Sequence, residues 1–560
     1  MRSGSVEVSE FHRFVVDESP DIERTELATH LGLHETEVEE LDRQFFDTAD
    51  GRLHASGATV ELRSPLEYPM MRSLVWMRGG QVLASSRVDA GFEPTVAGSL
   101  PSGPAFDRLR EVIEMRRLLP IAAVRSRVSI AAQLDSEEKT TARVLIDLPT
   151  MADGRELPAL LEIRAIRGYE SEAGRLLSHL DGRDGFEPTD LSCADFARSM
   201  LGAPAFVPSK FSVRLDPHAS AAQVWSVVLR ELHDMMIANF AGTVADVDSE
   251  YLHDFRVAVR RTRSVLQEGT GVLDPAAREH FRAGFKWLGD ITTPTRDADV
   301  HLLDYPQMLT ALAPEYADAL APLGELLVKR QRDCQTQLAN DLRSTRRAQL
   351  GAEWEEFLSG DGPWFQESGA APDADHRASD VVAARIARAH HRLVRDGRAI
   401  DASSPPESLH DLRKDAKRLR YLLECFGSLF PADHLAVAVR PLKSLQDVLG
   451  EFQDTEVQAR ALADLGRQLD LEGASTETIL AMGGAIEQLS VRSASARREF
   501  AARFAAFDAA AVRSAFGHLT VRPDRKRSKK SEKSKNSGKV SGKNSGKNSG
   551  KVSGNKGRST

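Results

Sequence analysis

The sequence predicts an α+β chain of several domains: an N-terminal antiparallel β tunnel or barrel, then an all-α domain of two pseudo-symmetric four-helix bundles. Three observations predict it. From Val6 to about Leu180, short runs with period-two features alternate with turn residues. Beyond Pro217 the apolar period becomes helical. The helical region contains a pair of basic stretches that are near copies, His253-Asp254-Phe255-Arg256-Val257-Ala258-Val259-Arg260-Arg261-Thr262-Arg263 and His410-Asp411-Leu412-Arg413-Lys414-Asp415-Ala416-Lys417-Arg418-Leu419-Arg420, offset by 157 residues without a gap.

A chain of 560 residues exceeds what one core organises. The predicted boundaries are 1–202 for the β domain, 203–217 for a linker, 218–519 for the helical domain with repeat units at about 218–358 and 376–519, and 520–560 for a tail. No run reaches the ~18 unbroken apolar residues of a membrane span, and Met1-Arg2-Ser3-Gly4-Ser5 leads into charged residues. A cytoplasmic protein with no membrane association is expected. Cys193, Cys334 and Cys425 form no close-spaced pair, which argues against a disulfide framework or a thiolate zinc site and for reduced core residues. The net charge of −8 conceals an asymmetry: from 521 to 560 there are 14 Lys and Arg against two acids, so the remainder carries −20. Cation clusters in so acidic a body are not a product of general basicity.

In chain order, strands are expected at Val6–Val16, Thr59–Leu62, Leu74–Met77, Val124–Ile130, Arg143–Leu148 and Leu160–Ile166, with helical pieces at Asp21–Leu31, Phe106–Leu118 and Glu170–His179. Many short strands and few helices favour a closed or nearly closed antiparallel sheet. Prolines 204, 208 and 217 punctuate the join. An amphipathic helix at Ala221–Phe240 precedes the first basic helix. Arg278–Gly289 then leads into Thr293-Pro294-Thr295-Arg296-Asp297-Ala298-Asp299-Val300, and a long helical stretch runs from about Pro314 to Phe357. Ser359–Asp375, rich in Gly, Pro and acids, joins the two helical units. The Lys/Ser/Gly/Asn-rich tail has almost nothing apolar to bury and is expected to be disordered.

At about 100° per residue, His253, Arg256, Arg260 and Arg263 occupy about 80° of one helix face. Leu252, Phe255, Val259 and Leu266 lie on the neighbouring arc, so the helix can bury an apolar stripe and still present the basic one. Leu412, Ala416, Leu419 and Leu423 do the same in the second copy. The acids Asp254 and Asp411 point away, and four crowded cations are most easily understood if a polyanion neutralises them. The same register carries His233 onto His390, Lys286 onto Lys443, Leu288 onto Leu445, Asp290 onto Asp447, Asp297 onto Asp454 and Val300 onto Val457. A whole helical unit is therefore duplicated, and two such bundles facing each other would let the basic helices share one cationic groove.

Cationic neighbours repel a metal ion, which argues against metal binding by His253 and His410. A structural histidine bonded to a carboxylate or carbonyl competes with a phosphate-binding one, for which Arg offers a bidentate fork and His and Lys add donors. Arg261 and Arg418 lie about 100° from the stripe and either reach further phosphates or pair with Asp. Lys286 and Lys443 either complete the groove or snorkel, and Arg296 either joins it or pairs with Asp297 and Asp299.

Two resemblances sharpen these expectations. Phe45-Phe46-Asp47-Thr48-Ala49-Asp50-Gly51-Arg52-Leu53, Gly57-Ala58-Thr59-Val60-Glu61-Leu62-Arg63, Leu119-Pro120-Ile121-Ala122-Ala123-Val124-Arg125-Ser126-Arg127 and Val144-Leu145-Ile146-Asp147 resemble the CYTH family, which includes triphosphate tunnel metalloenzymes. The resemblance implies an eight-stranded tunnel whose inward acids hold a divalent metal and whose cations grip a triphosphate. The family's opening Glu-x-Glu-x-Lys reads Glu7, Ser9, Phe11 here, and its closing pair of alternating acids reads Glu162, Arg164. Glu7 and Glu162 are thus the remaining candidate metal ligands, Mg or Mn is required only if the tunnel is active, and Arg63, Arg72, Arg78, Arg125 and Arg127 are candidates for anion binding in it.

The pattern His-x-x-Arg-x-x-x-Arg-Arg-x-Arg, the Arg296-Asp297-Ala298-Asp299-Val300 run, Lys417-Arg418-Leu419-Arg420-Tyr421 and Leu442-Lys443-Ser444-Leu445-Gln446-Asp447-Val448-Leu449-Gly450 resemble the CHAD family. That resemblance implies a helical module binding inorganic polyphosphate without a cofactor, beside polyphosphate granules in the cytoplasm. The implied contacts are His253, Arg256, Arg260, Arg261, Arg263, Lys286 and Arg296, then His410, Arg413, Lys417, Arg418, Arg420 and Lys443. Gln453 stands where the first copy has Arg296. Polyphosphate binding with a catalytically degenerate tunnel is the favoured expectation, and a metal-dependent triphosphatase or polyphosphatase is the alternative. A third reading, nucleic-acid binding through the basic tail, is weaker because aromatics for base stacking are nearly absent from the basic helices; the tail is expected to add weak affinity for nucleic acid.

Overall fold

The structure is a computed structural model and describes residues 11–16, 26–181, 183, 185–203, 205–208, 211–360 and 371–520. Glu7, most of the joining segment and the basic tail lie outside the described residues. The chain divides into two compact units: Met1–Val213 with Trp225–Ala371 and Glu456–Ser490, and Arg214–Val224 with Pro372–Thr455 and Val491–Thr560. They are described separately.

In the first unit the described strands are β1 (Phe11–Val16), β2 (His34–Thr48), β3 (Ala58–Pro65), β4 (Arg72–Arg78), β5 (Gln81–Val88), β6 (Leu118–Leu134), β7 (Thr140–Met151), β8 (Ala159–Ala165) and β9 (Phe186–Pro188). They form one antiparallel sheet in the order β5-β4-β3-β2-β6-β7-β8-β1-β9. Helices α1 (Leu27–His30), α2 (Arg52–Ala55), α3 (Pro104–Ile113), α4 (Glu170–Leu180) and α5 (Cys193–Met200) lie between and after the strands. The expected antiparallel architecture is present, with nine strands where the resemblance implied eight. β2 was not expected as a strand. Its first seven residues are exposed and include Glu35, Glu37, Glu39 and Glu40, so only its second half carries a burial signal.

No hydrogen-bonded pairing closes β5 onto β9 among the described strands, but the sheet curls strongly. Gly80, with φ +67°, sits in the β4–β5 turn where a Cβ would stand 2.2 Å from Phe11 Cε2 of β1. Only glycine allows that approach and that backbone. Three apolar clusters use the two faces of the curled sheet. On one face Phe14, Val144, Ile146, Leu161 and Ile163 pack with α4 through Leu176 and Leu180, and Val60, Leu62, Leu74 and Trp76 pack with α3 through Phe106, Leu109 and Ile113. On the other, Val15, Phe45, Ala122, Val124, Met151 and Leu160 close around Cys193, Ala194 and Ala197 of α5. Helix α5 therefore fills part of the concave interior.

The remaining helices are α6 (Ala221–Ala245), α7 (Ser249–Glu268), α8 (Pro275–Ala311), α9 (Pro314–Ala317), α10 (Ala321–Leu342), α11 (Thr345–Ser359), α12 (Ala378–Arg398), α13 (Pro406–Phe426), α14 (Ala432–Leu471), α15 (Thr476–Phe507) and α16 (Ala510–Thr520). The sequence register reappears in the backbone. Helices α6 and α12, α7 and α13, and α8 and α14 each begin 157 residues apart. Apolar residues expected inside are buried in both basic helices: Leu252, Phe255, Val259 and Leu266 in α7, and Leu412, Ala416, Leu419 and Leu423 in α13.

Two expectations are corrected. The helix expected to stop near Gly289 continues through Pro294 as the single helix α8. Proline removes the donor to the carbonyl four residues back and crowds the preceding turn, and in that turn the Thr292 and Thr293 hydroxyls donate to Gly289 O at 3.0 and 2.8 Å. The stretch from Pro314 to Phe357 is broken, and Ser344 caps α11 by accepting from Arg347 N. The compact units also cut across the sequence repeats. Leu462, Leu465, Met482 and Leu489 of α14 and α15 pack with Leu320, Leu323 and Leu327 in the first unit.

None of the three cysteines is in a disulfide; Cys193 and Cys425 are buried and Cys334 is half-buried. Among the described residues no helix is long and apolar enough to cross a membrane.

Candidate functional site

Helix α7 starts at Asp248, whose carboxylate accepts from Glu250 N at 3.0 Å and Tyr251 N at 3.1 Å. The apolar arc is buried, which fixes the rotation of the helix and sets His253, Arg256, Arg260 and Arg263 on one half-buried face. Arg256 Nη1 donates to Gly289 O (3.2 Å), Thr292 Oγ1 (2.6 Å) and Thr293 Oγ1 (3.1 Å), so it crosses to α8 beside Pro294. A Cβ on Gly289 would stand 2.9 Å from Arg263 Nη1, which shows Arg263 lying over the same glycine. Arg296 reaches Ser249 O at 3.4 Å. The buried Nε of Arg260 has no hydrogen-bond partner among the described residues.

This crowding is legible in the protonation equilibria. Burial, then Arg296, Arg260, Arg116 and Arg256, push the His253 imidazolium down to about 4, so the ring is neutral near pH 7. Burial and Arg260, with Arg296 and Arg263, pull Arg256 down to about 10 even though Asp297 opposes them. At both groups the neighbouring arginines act in the same direction as burial, and at Arg256 Asp297 does not offset them. Arg261 leaves the stripe and lies over the Phe211 ring, 5.8 Å from its centroid. Lys286 is exposed and bonded to Asp290 at 2.6 Å, an ordinary helix-surface pair.

In the second unit α13 repeats the face with different partners. Arg413 bonds Asp454 at 3.0 and 3.1 Å, and Asp454 is the register equivalent of Asp297. His410 packs against Phe452 with ring centroids 5.8 Å apart. Arg420 pairs with Glu424 and donates to Gln446 Oε1 at 3.1 Å. Lys417 and Arg418 are half-buried on the same helix, and Lys443 is exposed on α14. The second copy therefore neutralises its arginines locally to a greater degree than the first.

The interior of the curled sheet differs from the expected anion tunnel. Arg43 of β2, 6 % exposed, bonds Glu61 at 2.7 Å, Asp147, and Ser126 Oγ at 3.2 Å. Arg63 also pairs with Glu61, and Arg13 bonds Glu162 at 2.6 Å. In these pairs three arginines meet three carboxylates, and half-buried Arg164, on the same face of β8 as Glu162, adds a further cation. Burial alone would raise Glu61, but Arg43 and Arg63 hold it below the ordinary carboxylate range. Alternation along β6 sends Arg125 and Arg127 to the face opposite Ser126, and Arg125 pairs with exposed Asp42 at 3.1 Å. Arg78 is exposed at the end of β4, and Arg72 donates to Phe92 O at 3.3 Å. Of the residues expected to form an anion tunnel, only Arg63 faces the network, and its charge is already matched.

Among the described residues, the interior donor set does not fit a divalent metal. Glu61, Asp147 and Glu162 are bonded to arginine, whose charge opposes a cation, Asp47 is taken up by the backbone N–H groups of Thr48, Leu53 and His54, and no group of three His, Cys, Asp or Glu among the described residues could hold a metal ion. Sequence reasoning missed Arg43 and Arg13. The signal available was strand position: Arg13 stands opposite Glu162 between β1 and β8, and Arg43 stands diagonal to Glu61 between β2 and β3, which needed the register of β2.

The fold and the site together define a protein of two kinds of domain, an antiparallel sheet followed by a helical module with a duplicated cationic face. Residues 227–463 match the family model of the CHAD domain, and the C-terminal half of the chain carries a CHAD domain. An uncharacterized Mycobacterium tuberculosis protein is 27% identical over 270 residues, 47% of this chain and 49% of that protein. The chain spans about half the length of that curated relative. The crystal structure of the CHAD domain from the plant Ricinus communis is 25% identical, with a TM-score of 0.45, covering 53% of this chain and 96% of that one. HpAC1 from Hippeastrum, a protein with a dominant triphosphatase activity, is 14% identical with a TM-score of 0.27 over 35% of this chain and 96% of its own.

Proposed function

We propose that the chain binds inorganic polyphosphate through the basic faces of α7 and α13. The observation that carries the reading is the gathering of Arg256, Arg260, Arg263 and Arg296 around one half-buried stretch of α7 and α8, where burial, joined by these arginines, lowers His253 to about 4 and Arg256 to about 10. A repeating anion offers an oxygen for each donor along such a face, and the arginine forks match phosphate oxygens. The contacts are His253, Arg256, Arg260, Arg263 and Arg296 in the first copy and His410, Arg413, Lys417 and Arg420 in the second, where Arg413 must exchange Asp454 for phosphate. Arg261, Arg418, Lys286 and Lys443 contribute long-range attraction. Titrating the full chain with long-chain polyphosphate tests this: affinity should fall steeply with salt, and a salt-insensitive interaction would overturn the reading.

Protonation gives a second check. A bound polyanion raises the value at which His253 titrates, so the complex takes up a proton that the free protein releases above about 4. Affinity should therefore rise as pH falls from 7 toward 5, and His253→Gln should flatten that slope. Equal slopes for the two proteins would remove His253 from the contact set.

The sheet domain is read as catalytically degenerate, because its interior carboxylates are engaged by Arg13, Arg43 and Arg63. Phosphate release from triphosphate that requires Mg²⁺ or Mn²⁺ and disappears in Glu162→Gln would contradict this.

A further inference from the structure

We propose that the sheet domain positions the first basic helix, with Arg116 as the residue that locks it; this rests on the polyphosphate reading above. Arg116 lies between α3 and β6 and is fully buried. Its guanidinium meets one carboxylate of its own domain, Asp50 at 3.5 Å, and two on the start of α7, Asp248 at 3.3 Å and Asp254 at 2.5 Å. It also lies over the Tyr251 ring, 5.2 Å from the centroid, and Arg117 N donates to Asp248 Oδ2 at 3.0 Å. One buried fork thus holds both the N-cap of α7 and the residue next to His253.

The duplication supplies an internal comparison. Asp254 and Asp411 occupy the same place in the two copies, directly after the histidine. Asp254 is buried against Arg116, whereas Asp411 is exposed and bonded to the neighbouring Lys414 at 2.8 Å. The buried arrangement is therefore not needed to build a basic helix of this type. Its added consequence is to fix where His253, Arg256 and Arg260 stand. A sheet domain whose carboxylates Glu61, Asp147 and Glu162 are already paired to arginine retains a role in presenting the binding face.

The critical test is Asp254→Asn in the full chain, an isosteric change. Removing a negative charge beside the site would tighten polyanion binding if Asp254 were only an electrostatic neighbour. If it is a positioning residue, binding weakens, and we expect a loss of about tenfold. Arg116→Met should weaken binding too, while raising the His253 titration midpoint read by NMR, because a nearby cation is gone; Asp254→Asn should not raise it. Arg116→Lys should restore part of the affinity, and Asp411→Asn should stay within about twofold of the parent. Unchanged or tighter binding in Asp254→Asn overturns the proposal, even if Arg116→Met fails to fold. If the parent chain itself does not bind polyphosphate, the binding reading fails separately, and amide exchange decides the positioning claim. Faster exchange at Ser249–Phe255 in Asp254→Asn, without a matching change around 406–412 in Asp411→Asn, supports it; equal exchange rejects it.

Discussion

Changing Arg256, Arg260, Arg413 and Lys417 together to Glu should abolish measurable polyphosphate binding, a loss on the order of a thousandfold or more at low salt. Four donors to phosphate oxygen become four repelling charges, two in each copy. The single-copy pairs divide the effect. Arg256→Glu with Arg260→Glu should cost more than Arg413→Glu with Lys417→Glu, because Arg413 already has Asp454 at 3.0 Å and gives up part of its phosphate energy to leave it. Isothermal titration at two salt concentrations measures both the affinity and its slope. An unaltered affinity in the fourfold variant would end the assignment of these helices, and an equal cost in the two pairs would end the claim that the copies differ.

Arg43→Met should destabilise the sheet domain by about 3–5 kcal/mol, the usual cost of leaving buried charges without their partner. The substitution fits the volume, so the loss comes from Glu61 and Asp147, both buried, rather than from a cavity. The pH dependence has a definite sign. Glu61 is held below the ordinary carboxylate range, so its pairing stabilises the fold above that range and is lost as pH falls through the depressed folded value. The parent domain should therefore resist mild acid, whereas in Arg43→Met the carboxylates are stabilised by protonation and the difference between the two proteins narrows as pH falls. Denaturant unfolding followed by fluorescence at neutral and acid pH checks this, and a change below about 1 kcal/mol at neutral pH would show that Arg43 is replaceable.

Much of the helical half was legible in the sequence because a duplicated unit states its own register. The offset of 157 residues, read from two basic runs, is the spacing between the starts of three pairs of helices. The arcs of α7 and α13 were likewise readable, since a helix of fixed period has only one rotation that buries Leu252, Phe255, Val259 and Leu266. Less was legible in the sheet. Strand β2 escaped because its exposed acidic half lacks alternation, and without it neither the β2 neighbours of Glu61 nor the arginine that reaches Asp147 across β6 could be assigned. A one-residue step along β6 decides whether an arginine faces in or out, and Arg125 and Arg127 face out.

The sequence by itself determined the order of the two kinds of domain, the internal repeat and the composition of each cationic face, because helical period and repetition are properties of one chain segment at a time. Only the tertiary structure decided what each charge meets. It placed Arg43 between Glu61 and Asp147, bonded Arg413 to an acid where Arg256 donates to a carbonyl and two hydroxyls, and buried Asp254 under Arg116 while its copy Asp411 stayed at the surface. The physical reason is that an ion pair depends on distance and burial between residues as far apart in sequence as Arg116 and Asp254, and neither quantity is a function of local spacing.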